Sequence, residues 1–171
     1  DADKVFFLQS DVDQFSGARN KLDDAILAQD LSTPFAMFNL YHQRFKERLT
    51  YARELLNSDF DFSQKEAYRY QREKEPWPQN IEQMRDLWRQ RVKNDWLRLK
   101  LAGKEAAAIK TTLDKRYEST LTRMNKLKNE DVFQLFMNAY AMSVEPHTNY
   151  LGPKAAEDFD IAMRLSMTGI G

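Results

Sequence analysis

Few residues in this sequence have both the type and the spacing that chemistry requires. The two histidines, His42 and His147, each lack a second His or a carboxylate at a spacing that would build a familiar metal site, so no metal is expected. Asp11-Val-Asp13 and Asp59-Phe-Asp61 fit a loose Asp-x-Asp metal-phosphate pattern. Both fall where helix caps or turns are expected, and there short carboxylates accept backbone N–H groups. The chain has no Gly-rich phosphate loop, no Gly-x-Ser-x-Gly elbow and no Ser/His/Asp order with supporting context. It has no cysteine, which removes thiol nucleophiles, disulfide scaffolds and Cys-based metal sites. A di-iron bundle would need Glu-x-x-His pairs on two helices, and there are none. No cofactor is expected. What remains is the segment Glu145-Pro-His-Thr-Asn-Tyr-Leu-Gly-Pro153. A Pro-punctuated connection carrying His147, Thr148 and Tyr150 is either a functional loop or a rigid corner held by side-chain hydrogen bonds, and the physical reading favours the corner.

The elements that would position these residues are helical. With 42% hydrophobic residues the chain can build a sizeable core, and five Gly and five Pro in 171 residues are too few for a turn-rich β protein. The expected fold is all-α, an irregular multi-helix bundle with an αα-hairpin and a Pro-punctuated corner before the last helix. The 26 basic and 26 acidic residues cancel, giving no general pull toward phosphate backbones or anionic lipid. Residues 82–104 are locally basic, but Trp88, Val92 and Trp96 fall on the core-facing stripe of that helix and are not free to stack on bases, so nucleic acid is not an expected partner. No apolar run approaches the ~20 residues of a membrane span.

Along the chain, Val5-Phe-Phe-Leu leads into a helix started by Ser10 or Asp11, and a second short helix covers 22–29. The spacing then predicts a long helix with Thr33 as N-cap, Pro34 at its first position, and a stripe through Phe38, Tyr41, Phe45, Leu49, Ala52 and Leu56. Residues 57–80 form a connection in which Pro76-Trp77-Pro78 holds the backbone extended and offers the indole to a groove on the same domain. Asn80 and Gln83 resemble a capping box for a helix carrying Ile81, Met84, Trp88, Val92, Trp96 and Leu99, which Gly103 stops. The next stripe is Ile109, Leu113, Tyr117, Leu121, Met124 and Leu127, and the two stripes read as an antiparallel αα-hairpin. A helix over about 131–144, capped by Asn129 and apolar on most sides, is expected to be the buried central element. The last helix should start at Pro153 and bury Phe159, Ala162, Met163 and Ser166.

On these residues the chain resembles the carboxy-terminal processing serine peptidases, which carry Asp-Pro-His-Thr/Ser-x-Tyr, then a Pro, a Phe and a Gly-Ile-Gly. The matching positions are Pro146, His147, Thr148, Tyr150, Pro153, Phe159 and Gly169-Ile170-Gly171, with Glu145 in place of the usual Asp. Phe7-Leu8-Gln-Ser-Asp11-Val12-Asp-Gln-Phe15, Pro76-Trp77-Pro78, Leu87-Trp88-Arg-Gln-Arg-Val-Lys-Asn94, Leu99-Lys-Leu-Ala-Gly-Lys104 and Asp131-Val-Phe133 are similar to the long, tail-specific protease branch. The resemblance spans nearly the whole chain.

It implies a helical amino-terminal domain over 1–168 and, at 169–171, the start of the strand leading into a PDZ domain. In that family a signal peptide delivers the enzyme to the periplasm, including the periplasmic face of the inner membrane, and the PDZ domain recognises apolar carboxy-terminal tails of protein substrates. Catalysis uses a serine nucleophile with a lysine general base, a pairing that works when the amine is kept neutral. Both lie downstream of the PDZ domain, so no residue here is assigned a catalytic role. The implied partners are the PDZ and protease domains of the same polypeptide, protein substrates reached through them, and a periplasmic adaptor lipoprotein. The competing expectation is an autonomous helical interaction module whose groove binds a partner helix or an extended peptide.

Overall fold

The three longest apolar stripes become the three helices that build the core. The computed structural model describes residues 1–168, with side chains to 164, so Gly169-Ile170-Gly171 lie outside the described residues. The fold is all-α, with no strand among the described residues. Its helices are α1 (Gln9–Asp13), α2 (Leu22–Leu27), α3 (Ser32–Leu55), α4 (Ile81–Leu101), α5 (Ala106–Asn125), α6 (Asn129–Val144) and α7 (Pro153–Thr168). None is long and apolar enough to cross a membrane. The chain divides into two units, Asp1–Lys126 and Leu127–Gly171.

In the first unit α3, α4 and α5 pack on one another in all three pairings. The predicted stripes meet there: Phe45, Leu49, Ala52 and Leu56 from α3 and the residue that follows it, Met84, Trp88 and Val92 from α4, and Ile109, Leu113 and Tyr117 from α5 are all buried. Leu87 joins them, and Trp96, Leu99, Leu121 and Met124 close the rim. Leu127, placed on the α5 stripe by spacing, lies beyond the helix end and is exposed, because the helix stops at Asn125. Gly103 takes φ +81° between α4 and α5, a left-handed conformation that costs glycine little, and the hairpin turns there as expected.

Trp88 is 1% exposed, and its indole N–H donates to the Val5 carbonyl at 2.6 Å. That bond fastens the first residues across α3 and α4. Phe6 stacks on Phe45 at 4.8 Å and meets Tyr41 edge-on at 5.3 Å, while the Asp1 carboxylate accepts the N–H groups of Val5, Phe6 and Phe7. The 57–80 connection is tied to the same segment: Lys4 Nζ donates to the Glu75 carbonyl at 2.6 Å, and the Gln9 N–H donates to the Pro78 carbonyl at 2.9 Å. Trp77 is half-buried between Phe7 and the Lys4 ammonium, so its indole packs on its own unit as expected. Farther along the connection, Glu66 accepts from Arg89 and Lys93 of α4, and these bonds pull its carboxyl down to about 2.

Two helix starts differ from expectation. The N-cap of α1 is Leu8, and the Asp11 carboxylate reaches back to accept the Leu8 N–H at 2.9 Å, so the cap comes from the third helical residue. Helix α3 begins at Ser32, one residue before the expected Thr33 cap, with Asp30 accepting the Ser32 N–H at 2.9 Å. Pro34 is then the third helical residue, still within the turn whose N–H groups need no helical acceptor. Asn80 caps α4 as expected, accepting the Gln83 N–H at 2.9 Å, but the Gln83 side chain returns to the Gln79 N–H and not to Asn80.

The second unit overturns two burial expectations. Helix α6 is not a buried central element: Val132 alone is buried, while Leu135 is 53% and Met142 52% exposed. On α7, Phe159, Ala162 and Met163 are exposed, and Ser166 lies beyond the described side chains. Periodicity says which residues favour burial, not whether this stretch of chain supplies the covering surface.

Two stability effects follow for the first unit. Trp88→Phe opens space and strands the Val5 carbonyl, and should cost about 2–4 kcal/mol in urea unfolding. Asp11 is buried; burial raises its pKa, but the Arg44 fork (Nη2 to Oδ1, 2.7 Å), the Leu8 N–H and the charges of Arg44 and Arg48 outweigh it, holding the carboxyl below its ordinary value. A lowered folded pKa means the interaction is fully present above the unfolded value near 3.9 and is lost as pH falls through the folded one. Asp11→Asn should therefore cost about 2 kcal/mol at pH 7. The gap to the parent should close as unfolding is followed from pH 5 to pH 2.

Candidate functional site

The best-defined polar constellation in the second unit is the corner between α6 and α7. The helix ends at Val144 because Glu145 leaves helical geometry, with φ −144° and ψ 114°, and Pro146 follows. Glu145 closes the turn with its own carboxylate: one oxygen accepts the His147 N–H at 2.8 Å and the Thr148 hydroxyl at 2.8 Å. The Thr148 N–H returns to the Glu145 carbonyl at 3.0 Å. The Glu145 carboxylate thus serves both a backbone and a side-chain donor of its own turn.

Tyr150 is anchored separately. Its N–H donates to Asn138 Oδ1 at 2.9 Å, and its ring meets Phe133 edge-on at 5.5 Å. Asn138 Nδ2 donates to the Gln134 carbonyl one turn back at 3.0 Å, which fixes the amide with its oxygen toward Tyr150. Pro153 is the first residue of α7, where its missing N–H costs nothing, and the Gly152 carbonyl accepts the Ala156 N–H at 2.9 Å. Of the seven corner residues, Glu145, Pro146, His147 and Thr148 share one turn, Tyr150 is held against α6 by Asn138, Pro153 opens α7, and Phe159 stands apart, 54% exposed. Phe133 was named in the sequence within the Asp131-Val-Phe133 match, and Asn138 was not singled out. The available signal was one amide within the otherwise apolar run of residues 135–142.

Between the starts of α6 and α7 lies an open groove of about 780 Å³ with Phe133, Tyr150 and Pro153 on its apolar side and Glu130, Asp131 and Asp158 among its polar walls. In the first unit a smaller depression, about 440 Å³, is lined by Arg48, Arg85, Tyr51 and Glu54. Arg48 is buried there, with Nε and Nη2 lacking a hydrogen-bond partner while Nη1 reaches Glu47 at 3.3 Å. Neither place pairs a nucleophile with a base. The hydroxyls of Thr111, Thr112, Thr120 and Ser143 donate to helix carbonyls, and that of Ser63 donates to Asp61. His42 bonds Asn125 at 2.9 Å, and no cluster of three metal-ligating side chains forms among the described residues.

The corner makes a local prediction. Glu145→Ala removes two hydrogen bonds to one charged group and should loosen the turn by about 1–2 kcal/mol, whereas Glu145→Asp keeps a carboxylate able to reach the 147 amide. Hydrogen exchange at the His147 and Thr148 amides reads the difference: faster exchange in the alanine variant, little change in the aspartate variant.

The sequence is similar to known proteins. Residues 1–154 match the family model described as the tail specific protease N-terminal domain. The chain is also similar to a tail-specific protease of Haemophilus influenzae, 39% identical over 166 residues, which cover 96% of this chain and 24% of that protein. It therefore spans about a quarter of the length of that relative. The matched stretch takes in the three-helix core, the pinned amino-terminal segment and the corner through Pro153, and on that ground the chain belongs to the tail-specific protease N-terminal domain family.

Proposed function

We propose that this chain is the non-catalytic helical domain of a periplasmic serine endopeptidase that degrades or trims proteins recognised by their apolar carboxy-terminal tails. The observation that carries the reading is the family match across residues 1–154. The hydroxyls described above support it, since they serve helix backbones and turns. In this reading a PDZ domain and a Ser-Lys dyad belong to other parts of the same polypeptide. The helical domain supports them, contributes to substrate access, and offers a docking surface to a periplasmic adaptor lipoprotein. The rigid first unit suits a supporting role, because its long-range bonds leave little freedom between the amino-terminal segment and the core.

The test is proteolysis of a substrate protein ending in an apolar tail, by the 171-residue chain and by the longer polypeptide from the same source. Cleavage by the longer form alone is the expected result, and replacing the apolar tail with a charged one should slow it. Cleavage by the 171-residue chain itself would overturn the non-catalytic assignment.

A further inference from the structure

The second unit is short of the contacts its own sequence calls for. Among its described side chains only Val132 is buried, and the hydrophobic core cluster of the structure draws no residue from it. Two 16-residue helices with so little burial are not stable by propensity alone, since isolated helices of that length are marginal in water. Yet both helices are rich in apolar residues. On α6, Leu135, Ala139 and Met142 follow four- and three-residue steps and form one exposed stripe, in line with the buried Val132, while Phe133, Phe136 and Tyr140 on the adjoining side are half-buried. Helix α7 exposes Phe159 and Ile161, two residues apart and so on different sides of the helix, and Leu151 is exposed just before it. A helix apolar on several sides belongs inside a larger packed body. Monomeric proteins seldom leave contiguous apolar surface of this kind in water.

We infer that the exposed stripe of α6 and the apolar residues of α7 are an intramolecular docking surface, covered by an apolar face of the polypeptide that follows residue 171 in the complete protease. The inference rests on the reading above that the chain is one part of a longer enzyme. Two observations select this occupant over a second copy or a separate partner. The matching family model is that of an N-terminal domain, and the Haemophilus influenzae relative carries about three quarters of its length outside the matched region. The uncovered residues are concentrated in the unit at the carboxy-terminal side of this chain, whereas the first unit encloses its stripes on its own. Residues 127–168 are then the opening part of a second packed body, with α6 as an inner helix of it. This restores the burial expected of α6 in a longer molecule.

Because the chain contains no cysteine, accessibility can be read one position at a time. Leu135→Cys, Met142→Cys and Phe159→Cys are made in the 171-residue chain and in the longer polypeptide, with Leu101→Cys as control at a position 78% exposed in the first unit. Labelling by a polar maleimide, scored by mass at the engineered site, should be about tenfold or more slower in the longer polypeptide at the three test positions and unchanged at the control. Equal rates in both lengths would overturn the inference. So would protection in the 171-residue chain that grows with its concentration, because a second copy would then be the cover. As a check that the cysteines have not unfolded the longer polypeptide, Leu135→Ala is compared with its parent by limited proteolysis: cleavage within residues 127–150 should quicken in the longer polypeptide and not in the 171-residue chain. Proteolytic activity is a separate readout. A longer polypeptide with protected thiols but no peptidase activity would defeat the proposed function and leave this docking surface standing.

Discussion

A tryptophan as deeply buried as Trp88 has to bond its one N–H, because a donor left unpaired away from water costs about 1–3 kcal/mol. The acceptor it uses is a backbone carbonyl from the beginning of the chain, and much of the first unit follows from that choice. To bring Val5 to the indole, the first residues must cross α3, which lays Phe6 against Tyr41 and Phe45. Once they are there, Lys4 and Gln9 are within reach of the 57–80 connection and bond its carbonyls, so a long loop without helix of its own is ordered by the segment it runs beside. The backbone groups of two irregular stretches thus satisfy each other where no regular element could do so.

Arginine forks do for the charged surface what Trp88 does for the interior. Arg44 clasps Asp11 of α1, Arg53 clasps Asp114 of α5 at 2.6 and 3.2 Å, and Arg89 clasps Glu66 of the connection at 3.1 and 2.5 Å. Each joins separate elements with two parallel bonds, a geometry that fixes orientation as well as distance. Arg48 departs from this pattern. Burial lowers its pKa against the pull of Glu47, and its side-on fork is unoccupied.

The core was legible because three- and four-residue apolar spacing maps directly onto helix faces: nearly every residue assigned to the stripes of α3, α4 and α5 is buried or packed at the rim. The Asn80 cap and the Gly103 turn were legible for the same local reason. Asp11 was one of two residues named for the start of α1, but its backward reach from the third helical position was not legible, because a carboxylate inside a helix can reach back as readily as one at its edge can reach forward. The path of residues 1–8 left no periodic signal at all, since it is set by partners about eighty positions away. In the second unit the sequence marked the corner, with its prolines and its short polar run, but not the Asn138 anchor, and α6 shows where the method stops. A helix apolar on most sides was expected to be the buried central element, and in the structure Val132 is its one buried residue.

The pinned amino-terminal segment also bears on how the domain comes into being. The bonds that hold it join residues 69 to 83 positions apart, from Asp3 with Arg72 to Val5 with Trp88. Helical proteins fold fast when their contacts are local, and these are not. During synthesis the segment is made before these partners, which follow 69 to 83 residues later, once α3 and no more than the first eight residues of α4 have been translated. Residues translated early therefore wait on later ones in two stages: Phe6 and Phe7 meet Tyr41 and Phe45 once α3 exists, and the Val5 carbonyl has its donor only when Trp88 of α4 follows.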